Sequence, residues 1–281
     1  MGQRIVSAAR LKAFGESLRQ EEKSPVTVEK YLRDAAAFAV FTAGRAVTKE
    51  LTVAYKQALQ AKGYAVRSVN SMLAALNRFL RFCGWTDCCV RSLRCQRQIY
   101  TAADKELTKA EYLRLLEASK GRPQLNLLLQ TICGTGIRIS ELRFFTVEAL
   151  QRGEVSVQCK NKNRTILIPG KLKKLLLSYA KTAGVRSGPV FVTKTGAPLD
   201  RSNVWAQMKR LCAAAKVEPG KVFPHNLRKL FARTFYSIEK DIAKLADILG
   251  HSSIDTTRIY IMTTGTEHRR RIERLGLVLQ T

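Results

Sequence analysis

The sequence predicts a mainly α, α+β protein: an all-helical first domain, then a mostly helical second domain with a small antiparallel sheet. Three observations carry this reading. Apolar residues recur at helical spacing along much of the 281-residue chain. One stretch alternates with period two, and periodicity lapses between residues 94 and 106. In chain order, Ser24-Pro25 reads as an N-cap with proline in the first turn, opening a helix through Tyr31, Leu32, Ala35 and Phe38. A second helix spans Val66 to Phe82, with Val69, Met72, Leu73, Leu76 and Leu80 as its apolar stripe. After the lapse, which reads as a linker, Thr108 and Glu111 form a capping box. Val155, Val157 and Cys159 alternate, Lys160 to Asn163 make a polar turn, and Arg164 to Ile168 return as a strand closed by Pro169-Gly170. Val190 to Val192 is expected to add a short third strand. Helices are expected over 203–215, 227–237 and 241–249, the last stopped by Gly250.

Charge is the outstanding compositional feature. Lys and Arg number 49 against 22 Asp and Glu, a net +27 with pI near 10.2. Such a field collects polyanions, nucleic acid first and anionic membrane second. No apolar run reaches the roughly 18 residues of a spanning helix, the N-terminus lacks a signal-peptide core, and Val6 stands where a myristoylation signal needs Ser or Thr. Both parts of the chain are basic, with 17 basic and 7 acidic residues in the first hundred positions. That distribution fits a protein that grips its partner with both domains. Arg67, Ser71, Arg78 and Arg81 share one face of the Val66 helix. A solvated basic face is the ordinary explanation; with this charge they become candidate DNA contacts. The 7 cysteines form no CxxC pair and have no histidine near the cluster at 83–95, so reduced core thiols are expected and no metal site.

Four local patterns carry chemistry, each ordinary when taken alone. Gly134 to Leu142 places Arg138 just after a glycine break, where a guanidinium can project into a cleft. The hairpin turn carries Lys160 and Lys162. His225 and Arg228 stand three apart at a helix start, so both can face one point. Leu249 to Tyr260 joins a helix end, His251 and a tyrosine.

Together and in this order, the patterns resemble the tyrosine recombinases, also called the phage integrase family. The resemblance covers residues from about 5 to 265 and is most specific at 136–142, 225–228 and 249–260. It implies that Arg138 is the first catalytic arginine, Lys160 the hairpin lysine, and His225 and Arg228 the His-x-x-Arg pair. His251 then matches the second histidine, Tyr260 the nucleophile and Glu141 a supporting acid. Lys162, two residues from Lys160, leaves the register of the lysine open. Lys229 and Leu230 depart from the family, which often has His or Thr there.

Elementary chemistry agrees with that assignment. Attack on a phosphodiester builds extra charge on non-bridging oxygens, which two forked guanidiniums can share. A phenol is protonated at neutral pH and needs a proton acceptor, for which His225 is placed; His251 is expected to hydrogen-bond the phosphate. The departing 5′ oxygen needs a proton, and Lys160 is the expected donor. A phosphotyrosine keeps the energy of the cut bond, so neither ATP nor a metal or other cofactor is expected.

The resemblance further implies a C-shaped clamp on double-stranded DNA. Residues 1–93 form the helical core-site-binding domain, 94–106 the linker, 107–264 the catalytic domain and 265–281 a tail docking in trans. With the core-binding helices expected from the first residues on, no arm-binding domain is expected ahead of them. A homotetramer on DNA, an accessory directionality factor and a nucleoid-associated place in a bacterial cytoplasm, away from membranes, complete the expectation. A mobile-element integrase of transposon type is the expected role. The alternatives are DNA relaxation of the type IB topoisomerase kind and a DNA-binding regulator without catalysis.

Overall fold

Capping chemistry sets where many of the helices begin. In a computed structural model of the chain, the described residues are 4–94, 105–159, 162–193, 195–262 and 265–275, without the side chains of Cys159, Lys162 and Arg271. They divide into two compact units, one up to residue 97 and one from residue 98. In the first unit, helix α1 runs Ala8–Gln20, α2 Pro25–Thr42, α3 Lys49–Ala61 and α4 Val66–Phe82. Ser7, Ser24 and Thr48 each accept a hydrogen bond from a first-turn amide, satisfying a donor that the helix leaves orphaned. The α4 stripe predicted from sequence faces inward: Val69, Leu73, Leu76 and Leu80 are fully buried, joined by Phe14, Phe38 and Phe79. Phe14 and Phe79 meet edge to face at 5.3 Å.

The second unit opens with the expected capping box. Thr108 Oγ1 accepts from Glu111 N, and Glu111 Oε2 accepts from Thr108 N at 2.8 Å, starting α5 (Lys109–Ala118). Next come α6 (Pro123–Thr135), a 3-10 helix over Ile139–Phe144, and α7 (Val147–Arg152). Strands β1 (Glu154–Cys159) and β2 (Lys162–Leu167) pair antiparallel, Cys159 opposite Lys162. After them lie α8 (Gly170–Thr182), α9 (Arg201–Lys209), α10 (Cys212–Ala215), α11 (Pro224–Glu239), α12 (Ile242–Leu249), α13 (Ile254–Ile261) and α14 (Gly265–Glu273). Leu128, Ile132, Phe145, Val155, Leu176, Phe191 and Leu227 fill the main core. Ala232, Leu245, Leu249 and Tyr260 form a smaller cluster joining α11, α12 and α13.

Three sequence expectations change. The turn is tighter than a four-residue loop, because pairing continues to Cys159 and Lys162; Lys162 therefore belongs to β2. Val190 to Val192 adds no strand to the sheet among the described residues; Val192 makes one isolated bridge, to Pro198, and the preceding Pro189 makes another, to Thr146. Proline has no N–H with which to extend a ladder. The helix expected over 203–215 splits into α9 and α10. A tight turn, with Leu211 N donating to Met208 O at 3.1 Å, lets both Leu211 and Cys212 reach the core.

Gly136 caps α6 in the left-handed region, at φ +64°, and a Cβ there would collide with the Phe231 ring. Gly136→Ala is therefore expected to destabilise the second unit by at least about 2 kcal/mol. Urea unfolding followed by Trp205 fluorescence in a Trp85→Phe background measures this; an unchanged midpoint contradicts it.

Candidate active site

The C-terminus of α12 organises the charged cluster. A helix leaves its last carbonyls without intrahelical partners, and they carry the negative end of its dipole. Here three consecutive ones are taken by three arginines from three segments. The Ile248 carbonyl accepts from Arg164 Nη1, the Leu249 carbonyl from Arg228 Nη2 at 2.6 Å, and the Gly250 carbonyl from Arg138 Nη2 at 3.0 Å. Gly250 itself sits at φ +61°, and a Cβ there would lie 2.7 Å from Arg164 Cδ. Arg228 also donates to the Gly136 carbonyl, the equivalent end of α6.

Glu141 completes the support. It is buried, accepts from Arg138 N at 2.8 Å and Arg138 Nη1 at 3.0 Å, and pairs with Arg164. Arg138, just before the 3-10 helix, remains partly exposed, whereas Arg228 is buried. The Arg228 Nε is buried without a hydrogen-bond partner, a donor held ready in the cluster. Burial, with the neighbouring Arg138 charge, lowers the Arg228 pKa to about 10, so it stays cationic at neutral pH.

Around these cations stand two imidazoles and a phenol. Proline at the start of α11 places His225 in the first turn, and His225 Nδ1 lies 3.3 Å from the Tyr260 hydroxyl. The Tyr260 ring meets His225 at 4.8 Å and His251 at 4.9 Å, with the Arg228 guanidinium 5.8 Å from its centroid. His251 Nε2 lies 3.0 Å from Arg228 Nη2, and its Nδ1 lies 2.9 Å from Thr257 Oγ1. Burial first, then the Arg228, Arg138 and Arg164 charges, pull His251 down to about 4. Burial, aided by Lys229, Arg228 and Arg201, also lowers His225. Both imidazoles are thereby kept neutral, the form in which a ring nitrogen can accept a proton.

The structure thus brings Arg138, Glu141, His225, Arg228, His251 and Tyr260 together. Lys160 lies outside the described residues, and for Lys162 only its backbone, on β2, is described. In the first unit, Arg67, Ser71 and Arg81 are exposed along α4, while Arg78 is engaged by Glu21. Lys229, the departure noted in the sequence, sits 3.9 Å from buried Glu106, which also pairs with Arg233. Sequence reading missed Arg164 and Thr257. Arg164 shares its strand face with buried Ile166, opposite buried Val157, so an arginine at a core-facing parity was the signal. Among the described residues, no group of three or more His, Cys, Asp or Glu is placed to hold a metal ion, and no helix is long and apolar enough to cross a membrane.

A pH dependence follows from the histidines. His251 falls from 6.5 when unfolded to about 4 when folded, so in that window the unfolded chain binds more protons. Stability is therefore complete above about 6.5 and declines as pH falls toward 4. Urea midpoints of the second unit should fall over this range, and His251→Gln should flatten the decline; equal slopes would contradict the assignment.

Comparison with known proteins places this geometry. The phage integrase family profile matches residues 105–266, and that of the phage integrase N-terminal SAM-like domain matches residues 11–86. A tyrosine recombinase XerA of Pyrococcus furiosus is 30% identical over 99% of this chain and 98% of its own length. A tyrosine recombinase XerD of Halalkalibacterium halodurans is 27% identical over 86% of this chain and 89% of its own. In fold, the chain is similar to a lambda integrase dimer bound to a COC′ core site, with TM-score 0.74, 18% identity and 92% and 96% of the two chains covered. It is similar also to the Tn1549 transposon integrase in complex with transposon right end DNA, with TM-score 0.70, 16% identity and 95% and 99% covered. With a family match across more than half its length and a cluster of two arginines, two histidines and a tyrosine, the chain belongs to the phage integrase family of tyrosine recombinases.

Proposed function

We propose that this enzyme cuts and rejoins double-stranded DNA at specific sites through a 3′-phosphotyrosyl intermediate. The observation that carries the reading is the 3.3 Å approach of the Tyr260 hydroxyl to the neutral His225 Nδ1, beside Arg228. In the cleavage step, Tyr260 Oη bonds to the scissile phosphorus and its proton passes to His225. The phosphorus–5′ oxygen bond breaks, and that oxygen leaves with a proton from Lys160. Arg138 and Arg228 hold the non-bridging oxygens, where charge grows most in the transition state. Glu141 keeps Arg138 in place. Religation reverses the step with the 5′ hydroxyl of a second duplex, so bond energy is conserved and neither ATP nor metal enters.

Residues 1–93 serve as the core-site-binding domain, with Arg67, Ser71 and Arg81 of α4 contacting DNA and Arg78 released from Glu21. Residues 94–106 act as the linker and 107–264 as the catalytic domain. Exchange needs two sites and four protomers, a homotetramer in which residues 265–281 dock in trans. Ile272 and Leu275 are exposed on that segment, and Leu279 lies outside the described residues. Integration of a mobile element is supported by likeness to the Tn1549 transposon integrase. Resolution or inversion of DNA already joined is the second reading, since the relatives matched over nearly their whole length carry the name tyrosine recombinase without reference to a mobile element.

Mixing the protein with randomised duplexes, denaturing it and sequencing the attached DNA tests the chemistry and identifies the site. Tyr260→Phe is expected to bind DNA normally and retain none after denaturation; an adduct that persists places the nucleophile elsewhere.

The proton donor is tested with sulfur at the bridging 5′ position, which leaves as a thiolate without an acid. Lys160→Ala should be severely slowed on ordinary DNA and recover on the sulfur substrate, whereas Arg228→Ala should not recover. Rescue of Lys162→Ala instead moves the donor by two residues along the hairpin.

A further inference from the structure

Thr257 is fully buried on α13, three residues before Tyr260, and its hydroxyl faces His251 Nδ1 at 2.9 Å. The other ring nitrogen faces Arg228 Nη2 at 3.0 Å. Arginine can only donate, so Nε2 must offer its lone pair and the proton of the neutral ring must sit on Nδ1. Nδ1–H then donates to Thr257 Oγ1. This arrangement has a consequence for a bound phosphate. Its oxygens only accept, and they compete for the same Arg228 donors. An unprotonated Nε2 turned toward such an oxygen sets lone pair against lone pair.

We propose that Thr257 is a positioning residue that lets His251 exchange tautomers, Nδ1–H in the free enzyme and Nε2–H when a phosphate occupies the arginine cluster. The hydroxyl is suited to this because it is both donor and acceptor and can rotate. In the free state Thr257 Oγ1 accepts from Nδ1–H. In the occupied state the hydroxyl donates its own hydrogen to the bare Nδ1, while Nε2–H donates to a non-bridging oxygen. One proton leaves Nδ1 and one arrives at Nε2 through exchange with water, so the ring's charge is unchanged. A carbonyl or carboxylate in this position would lock Nδ1–H, and a methyl group would support neither form. The depressed basicity of His251 keeps the ring neutral at pH 7, the condition under which tautomers are defined. Because Thr257 and Tyr260 share α13, the same hydrogen bond ties seating of the nucleophile's helix to His251.

The occupied half of this cycle rests on the reading of the cluster as a phosphodiester site; the free half does not. The chain has 3 histidines, so nitrogen-15 imidazole shifts of the full-length protein can be assigned by single substitutions. At pH 7, His251 is expected as Nδ1–H in the free protein and in Thr257→Ser. In free Thr257→Val, Arg228 still requires the Nε2 lone pair, so Nδ1–H is expected to persist, with the unfolding midpoint measured alongside. Saturating Tyr260→Phe protein with a short duplex of mixed sequence at low salt should move His251 to Nε2–H. In adduct formation at saturating DNA, Thr257→Val should be slower by about tenfold or more, with Thr257→Ser within about twofold of the parent. Nε2–H already in the free protein, no change of tautomer on DNA binding, or a DNA-bound tautomer that Thr257→Val in the Tyr260→Phe background leaves unaffected overturns the proposal. Absence of any covalent adduct from the parent protein would instead refute the strand-cutting reading, leaving the free-state tautomer to be judged by itself.

Discussion

Three guanidiniums held on three successive carbonyls at the end of α12 are the constraint on which the rest of the site depends. Cations packed this closely repel one another, and removing each from water costs several kcal/mol unless it is paired. The protein offsets both costs with groups that a helix C-terminus leaves unsatisfied in any case. Glu141 supplies a full negative charge, shared between Arg138 and Arg164. Because the three arginines come from the segment after α6, from β2 and from α11, this arrangement also joins those elements into one body.

The same arginines determine the state of the histidines. A positive field in a buried pocket disfavours imidazolium, so His225 and His251 are neutral at physiological pH. A neutral ring has one nitrogen lone pair, and His225 Nδ1 stands 3.3 Å from the Tyr260 hydroxyl. Cation clustering and proton acceptance are therefore two results of one packing arrangement. Tyr260 is itself buried in the small cluster between α11, α12 and α13, so the phenol is oriented by packing as well as by hydrogen bonding.

Sequence reading recovered the residues whose local context is distinctive. Arg138 follows a glycine that must be left-handed, His225 and Arg228 share a helix start, and Tyr260 follows a helix end marked by Gly250. It missed Arg164, because an arginine in a hairpin strand looks like an outward polar residue until strand parity is counted against Ile166 and Val157. Thr257 was missed for a different reason: a helical threonine is recognisable as a hydrogen-bond partner only when the ring opposite it is known. The basic stripe on α4 was legible as a face, yet the pairing of Arg78 with Glu21 joins residues far apart in the chain.

Helix starts, the hairpin, the side chains that gather in the candidate site and the strong positive charge were legible in sequence alone. Each depends on residues within a few positions or on total charge, and neither requires knowing how segments meet. Which arginine is buried, which carbonyl it uses, which nitrogen of His251 carries the proton and which histidine faces the tyrosine were decided only by the tertiary structure. Those facts are set by contacts between segments up to 112 residues apart, as between Arg138 and Gly250. Hydrogen bonds and desolvation act over a few ångströms of space, whatever the separation along the chain.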